Sequence, residues 1–345
     1  MQKRGEKIDA LTQRRCAFAL YRTAAGADVF CMQADGGMSP AGMGDGFTIA
    51  AYGEAGRLIA DEVHEPPEAE KFPPAEAIDA EEATTREAYH AAFARAMQLL
   101  RAPGGLRKLV LARTADVFCG SVSPFRAYAA ACSAHPAAFT ALVQTPEHGT
   151  WLCSTPELLL SGSGRQWHTM ALAGTRPVQS GPWDAKNREE QELVTRCITE
   201  TLLRFTPRVQ ALPTYTRNAG LIEHLCTPIS FELEAERIPA LLEQLPPTPA
   251  VCGYPREQAA AALAAHPDIN RRLYAGYLGP CRGGEPSLYV TLRCMRFLPD
   301  RCRLYAGGGL LAGSDEATEW QETEAKMNTM RAVAAAAAAK GGFRD

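Results

Sequence analysis

Several charged side chains stand where an apolar core pattern would not want them. Lys108 opens the run KLVLART (108–114). Most lysines in such a place are solvated strand ends. One held at a pocket mouth can act as a general base, if its reference pKa of about 10.4 is brought toward ~7–8. Glu157, in STPE ahead of LLL, reads either as a turn residue or as a carboxylic acid that apolar neighbours keep protonated and ready to donate. Glu189 and Glu190 in KNREEQELV can simply complement a helix dipole. Yet Glu190, Val194, Cys197 and Thr201 share one helical face, which puts Glu190 at the edge of a buried stripe, within reach of an internal cation.

Glu322 and Lys326 are four residues apart. Alone, that spacing is a surface ion pair of about 0.3–0.5 kcal/mol. Glu319, Glu322, Lys326 and Met330 share a face, however, and inward glutamates with a lysine are costly unless they bind something. Arg293 shares a strand face with Tyr289, Thr291 and Met295, and reads as an exposed hairpin residue or as a fork for a carboxylate. Gly307–Gly309 offer either a tight turn or backbone N–H groups for an anion. No GK[ST] follows them, so the stretch is not a P-loop.

The elements that must position these groups follow from period and punctuation. Residues 16–23, 28–33 and 46–52 read as strands. Residues 62–83 carry Pro66, Pro67, Pro73 and Pro74 and form a candidate boundary. Thr84 and Glu87 have capping-box spacing, and Tyr89, Phe93, Met97 and Leu100 continue at helical period until Pro103 and Gly104. Strand-like runs recur at 108–114, 138–144, 151–153, 157–161 and 166–172. Helices are expected at about 187–204, at 256–265, and from Ser314 or Asp315 into the alanines at 334–339. The runs 288–297 and 302–306 flank PDR and read as a hairpin. Locally pairing strands with irregularly interspersed helices indicate an α+β fold, antiparallel sheets with helices packed outside.

Composition narrows the function classes. The chain has 345 residues, 46% hydrophobic and 22% charged, enough to bury a large core. Its 36 basic and 39 acidic residues give a net charge of −3, which argues against nucleic acid as a partner while leaving room for a local pocket that takes a small anion. The 11 cysteines are odd in number and lack CxxC spacing, the pattern of reduced thiols and not of a zinc site. The apolar stretch from Cys16 to Tyr21 is too short for a signal segment, and no run approaches the length of a membrane span. The expected setting is cytoplasmic, without membrane contact.

Taken in order, the stretches KLVLART (108–114), STPELLL (154–160), ALAGTRP (171–177), KNREEQELV (186–194), EHLCTPI (223–229), PPTPAVCGYPRE (246–257), RLYAGYLG (272–279), TLRCMRF (291–297) and LYAGGGLLAGSDEATEWQETEAKMNTM (304–330) resemble the chorismate-utilising enzymes. The resemblance covers about residues 84–335. It implies one α+β domain of two stacked antiparallel sheets with helices outside, as in anthranilate synthase component I. Residues 84–340 would be the chorismate-binding catalytic part, and residues 1–83 a variable N-terminal part of the same domain.

Within that family, isochorismate and salicylate synthases begin the first strand block with a water-activating lysine, here Lys108. Relatives that use ammonia have glutamine there. Aminodeoxychorismate synthases carry a nucleophilic lysine before the GT pair, where this chain has Ala173. The resemblance therefore implies an isomerase that turns chorismate into isochorismate, a step used in menaquinone and in siderophore biosynthesis. Lys108 would be the base and Glu157 the acid. Glu190 and Glu322 would hold Mg²⁺, with Glu319 supporting a metal-bound water. Gly174, His224, Tyr274, Arg293, Gly307, Gly309 and Lys326 would bind the substrate. No glutaminase subunit is implied, and the chain is expected to be a monomer. The alternatives are a salicylate synthase, which also eliminates pyruvate, and a non-catalytic chorismate-binding protein. The chain departs from the family at WDAK (183–186), at STPE for the commoner ASPE, and at its triple glycine, where Gly-Ala-Gly is usual.

Overall fold

The computed structural model describes residues 17–339, apart from 24, 34–37, 41–43, 60–62, 65–80, 121, 266 and 268. The four prolines of the expected boundary segment lie outside the described residues. Down the chain come strands β1 (Ala17–Arg22), β2 (Asp28–Gln33), β3 (Ser39–Pro40), β4 (Gly46–Ala50), β5 (Arg57–Ile59) and β6 (Val63–His64). Helix α1 (Arg86–Arg101), β7 (Lys108–Phe118), helix α2 (Pro124–Ala134), β8 (Phe139–Thr145), β9 (Gly149–Thr155), β10 (Leu158–Ser163) and β11 (Gln166–Pro177) follow. Next are helix α3 (Ala185–Leu203), β12 (Val209–Ala211), β13 (Tyr215–Ala219), β14 (Ile222–Glu232), helix α4 (Ile238–Gln244), β15 (Gly253–Tyr254) and helix α5 (Arg256–Ala265). The chain ends with β16 (Tyr277–Arg282), β17 (Glu285–Val290), β18 (Cys294–Phe297), β19 (Arg301–Leu310) and helix α6 (Glu316–Ala339).

These strands form two sheets. One has nine strands in the order β15-β7-β19-β18-β9-β8-β1-β2-β6. The other has ten, β12-β14-β11-β10-β17-β16-β4-β5-β3, with β13 also paired to β14. Every pairing among the described strands is antiparallel, as local pairing in the sequence implies. The N-terminal strands are shared out: β1, β2 and β6 extend the first sheet, and β3 to β5 the second.

Alternation explains the packing. On β1, Ala17, Ala19 and Tyr21 face the core between the sheets, while Phe18 and Leu20 face the outer helices. Both faces are covered, so the strand is apolar throughout. Tyr21 meets Phe47 at 5.1 Å, and Phe139 stacks on Tyr289 at 4.1 Å, tying the two sheets together. Helices α2 and α6 cover the outer face of the nine-stranded sheet through Phe125, Tyr128, Met327 and Met330. Each such buried side chain contributes roughly 1.5–3 kcal/mol. No helix of the described residues is long and apolar enough to cross a membrane.

Three expectations change. The run 288–297 is not one strand: β17 belongs to the ten-stranded sheet and β18 to the nine-stranded one, so the chain crosses between sheets at residues 291–293. Arg293 therefore shares no strand face with Tyr289, and its backbone turns to φ +45°. Helix α2, absent from the sequence reading, begins with Ser123 as N-cap and Pro124 in its first turn. The cap of α1 is Thr85, whose hydroxyl accepts from Ala88 N at 3.1 Å. Thr84 is tied to β7 instead, exchanging hydrogen bonds with Thr114 at 3.0 and 3.1 Å, so Thr84 and Glu87 form no capping box. Thr85→Ala is expected to lower the stability of the folded protein by about 1 kcal/mol in urea titrations, with Glu87→Ala close to neutral. A larger loss from Glu87→Ala would contradict this capping arrangement.

Candidate active site

A small, partly open cavity of about 60 Å³ lies where the sheets meet. The sequence-selected Glu157, Gly174, Glu190, His224, Tyr274, Arg293, Gly307, Gly309 and Lys326 all line it. Lys108 and Glu322 stand immediately behind this lining. Lys108 Nζ is 2.9 Å from Glu190 Oε1, and Glu322 Oε1 is 2.5 Å from Lys326 Nζ.

The glycines of β19 set how closely charge approaches the sheet. A Cβ on Gly309 would collide with Glu190 Oε1 and lie 2.8 Å from Lys108 Cε; one on Gly307 would lie 2.7 Å from the Tyr274 hydroxyl. Gly308 faces the other way, toward Glu319 Oε2 at 2.9 Å from such a Cβ. Opposite Gly309, Val110 sends its N–H to Cys252 O at 2.8 Å and takes Arg271 Nη2 on its carbonyl at 2.8 Å. Gly309 and Val110 are thus a non-hydrogen-bonded pair, and alternation turns the N–H groups of Gly309 and Gly307 away from β7. Gly307 O accepts from Lys326 Nζ at 2.9 Å on that same edge.

Helix α6 is fixed in rotation by Trp320. The Arg86 and Arg113 guanidinium groups lie 4.0 and 3.6 Å from its ring centroid, and Tyr89 meets it edge-on at 5.1 Å. This aims Glu319, Glu322 and Lys326 at the glycine strand. Helix α3 is stapled to a bulge in β11: Asp184 caps Asn187 N at 2.7 Å, and Asn187 Oδ1 accepts from Thr175 N at 3.0 Å. Gly174, at φ +67°, makes that bulge, where a Cβ would press on Asn187. Glu190 follows one turn along α3, on the buried face the sequence assigned to it.

Charge is distributed unevenly around the cavity. Burial pushes the Glu157 carboxyl up, and Lys108, Arg293, Lys326 and Arg217 pull it only part of the way back, to about 8. It carries its proton at neutral pH. Burial acts upward on Glu190 too, but Lys108, Lys326 and Lys186 outweigh it and keep that carboxylate ionised. His224 Nδ1 faces Gly174 O at 2.8 Å, so it must donate; Nε2 faces Arg293 Nη2 at 2.7 Å, so it must accept. The ring is therefore the neutral Nδ1–H tautomer, and burial with Arg293 alongside holds its pKa well below 6.5. Burial brings Arg293 down to about 10, still a cation, with Nη1 lacking a hydrogen-bond partner.

Lys186 was not singled out by the sequence reading. Its ammonium donates to the wholly buried Glu319 Oε1, which also accepts from Ser314 Oγ at 2.7 Å. Its position in KNREEQELV was visible, but its partner lies 133 residues away. Glu319 Oε2 is buried without a hydrogen-bond partner, and burial with Glu322 nearby raises the Glu319 pKa. Among the described residues no three acidic, histidine or cysteine side chains gather into a metal cage. Glu190 and Glu322 instead offer two carboxylates near Lys326, which pairs with Glu322 and acts on Glu190. That donor set suits a hard divalent ion that keeps several waters and takes one or two carboxylates.

Glu157 ties stability to pH. Its proton is held to about pH 8 in the folded state against a reference of 4.5, so its contribution is full below 4.5 and lost as pH rises through 8. Glu157→Gln, neutral throughout, should therefore gain stability over the unaltered protein at pH 9 and lose that advantage at pH 5. Parallel urea titrations at the two pH values test this, and a constant difference would disprove the raised pKa.

The sequence profile described as "Chorismate binding enzyme" matches residues 49–334. The chain is 32% identical over 244 residues to isochorismate synthase MenF of Escherichia coli (strain K12), a match covering 67% of this chain and 57% of that protein. It is 33% identical over 254 residues to isochorismate synthase DhbC of Bacillus subtilis (strain 168), covering 66% of this chain and 63% of that protein. The matched stretch thus spans less than two thirds of each of these relatives. The solved structure of MenF, the menaquinone-specific isochorismate synthase from Escherichia coli, superposes with a TM-score of 0.76 at 22% identity, covering 95% of this chain and 91% of that one, and shares the fold.

Proposed function

This chain belongs to the chorismate-binding enzyme family, and we propose that it isomerises chorismate to isochorismate with Mg²⁺ as cofactor. One observation carries the reading. A buried carboxyl that keeps its proton near neutral pH lines a cavity with an arginine facing a neutral histidine, and a wholly buried lysine pairs with a second carboxylate of the same lining.

The reaction adds water at ring carbon C2, shifts both ring double bonds and expels the C4 hydroxyl. Water is a weak nucleophile and hydroxide a poor leaving group, so each needs a proton moved. Lys108 takes one from the incoming water. Glu157 gives one to the C4 oxygen, which leaves as water. Each such transfer is worth about 10²–10⁴-fold. Glu157 suits the donor's part because burial preserves its proton at the pH where the reaction must run.

The substrate is a dicarboxylate. Arg293 clamps the enolpyruvyl carboxylate with its open Nη1, with Tyr274 beside it. Lys326 and the N–H groups of Gly307 and Gly309 add positive potential. His224 shapes the ring pocket while contributing no second positive charge against Arg293. Gly174 leaves the backbone bare beside it. Glu190 and Glu322 would hold Mg²⁺, with Glu319 supporting a bound water; when present, the ion supplies positive charge for the ring carboxylate. A water-using reaction needs no ammonia-supplying subunit. The N-terminal strands, divided between both sheets, support reading the early residues as part of this same domain.

Incubation with chorismate and Mg²⁺ should yield isochorismate, with no matching release of pyruvate. Salicylate and pyruvate as main products would replace this reading with a salicylate synthase. Lys108→Ala and Glu157→Gln are each expected to cut kcat by at least ~10²-fold with the fold retained by circular dichroism. Activity should decline as pH rises through about 8, where Glu157 loses its proton. EDTA should stop turnover and Mg²⁺ restore it; full activity in chelator would discredit the Glu190 and Glu322 site.

A further inference from the structure

A second cation near the cavity, besides Arg293, has no carboxylate partner among the described residues. Strand β13 is exposed along most of its length, yet Arg217 within it is half-buried. Its Nη1 lies 3.5 Å from Met170 Sδ, a weak acceptor, and no carboxylate pairs with it among the described residues. Three other half-buried or buried arginines do have acids: Arg176 has Glu223, Arg113 has Glu324 and Arg303 has Asp116, whereas Arg293 inside the cavity faces His224. A half-buried cation whose neighbours are the Met170 thioether, the Cys226 thiol and the Tyr215 phenol is less well compensated than one beside a carboxylate, unless an anion visits it.

Its direction follows from the pairing. Arg217 lies opposite His224 in the β13–β14 register, so both side chains project from the same face. Two residues along β14, Cys226 stands opposite Leu172, which places Leu172 on that face too. His224 and Leu172 line the cavity. Met170, two residues before Leu172 on β11, carries the face outward to Arg217. Half-buried Leu158 and Tyr289 stand opposite one another across β10 and β17, and the Arg217 charge acts on Tyr289. The Arg217 charge also acts on Glu157 and on His224, which keeps it close to the reacting end of the cavity.

We infer that Arg217 is a substrate-recognition residue at the cavity entrance, engaging a carboxylate of the incoming dianion before Arg293 takes it inside. The inference rests on the reading of the cavity as a chorismate site. A charge in this place raises the local concentration of an anionic substrate and speeds its capture, an effect that salt screens.

Steady-state kinetics with chorismate and Mg²⁺ at low and high salt test it in the full-length protein. Arg217→Met should lower kcat/KM at low salt by roughly tenfold, mainly through KM, and flatten its salt dependence. Arg217→Lys should recover most of the loss. Arg208→Met removes one positive charge from the neighbouring strand edge, where Arg208 is paired with Glu232, and should do neither. Unchanged kinetics in Arg217→Met, an equal loss at both salt levels, or the same loss in Arg208→Met would overturn the inference while chorismate turnover by the unaltered protein still stood. No turnover or binding of chorismate by the unaltered protein would sink the parent reading and this one with it.

Discussion

Ionised groups out of reach of water must be paired or be lost, and that requirement governs this molecule. Lys108 with Glu190, Lys186 with Glu319 and Lys326 with Glu322 bring three ammonium groups and three carboxylates to one end of the cavity. Removing one partner of a buried pair costs several kcal/mol, because the survivor stays charged and alone. The surrounding fold can be understood as the means of holding these pairs in register. Helix α3 supplies Glu190 and Lys186, helix α6 supplies Glu319, Glu322 and Lys326, and β7 supplies Lys108. Only a bare backbone between them lets the groups meet, which β19 provides with three successive glycines.

Glu157 stands apart from this balanced set. Four cations act on it, yet none is close enough to overcome the loss of hydration, so it remains a neutral acid. The contrast with Glu190 is instructive. Both are buried, but Glu190 has an ammonium at 2.9 Å and ionises. Two identical side chains thus take opposite protonation states a short way apart, set by distance to a lysine. In the proposed reaction, that separation would let one carboxyl donate a proton while the other stays ionised.

Much of this was legible in the residues. The helical faces carrying Glu190 and the Glu319–Lys326 set follow from period alone, and the strand at Lys108 from its apolar run. Features that depend on chain crossings were not. Arg293 lies where the chain leaves one sheet for the other, on a backbone angle no periodicity reports. Lys186 finds its carboxylate on a distant helix. Adjacent threonines made the cap of α1 ambiguous by one residue, and tertiary contact between Thr84 and Thr114 decided it. Helix α2 is rich in alanine and lacks a contrasting polar face, although Ser123 before Pro124 was a readable start signal.

The crossing at residues 291–293 has a mechanical side. It is a short tie between the two sheets, and the guanidinium at its end reaches the histidine on β14 at 2.7 Å. Any slip of one sheet over the other twists that tie and re-aims the arginine. The aromatic stack of Phe139 on Tyr289, just upstream on β17, resists such slip. Packing far from the cavity is therefore under the same constraint as the Arg293 guanidinium, and loosening it displaces that group before the protein unfolds.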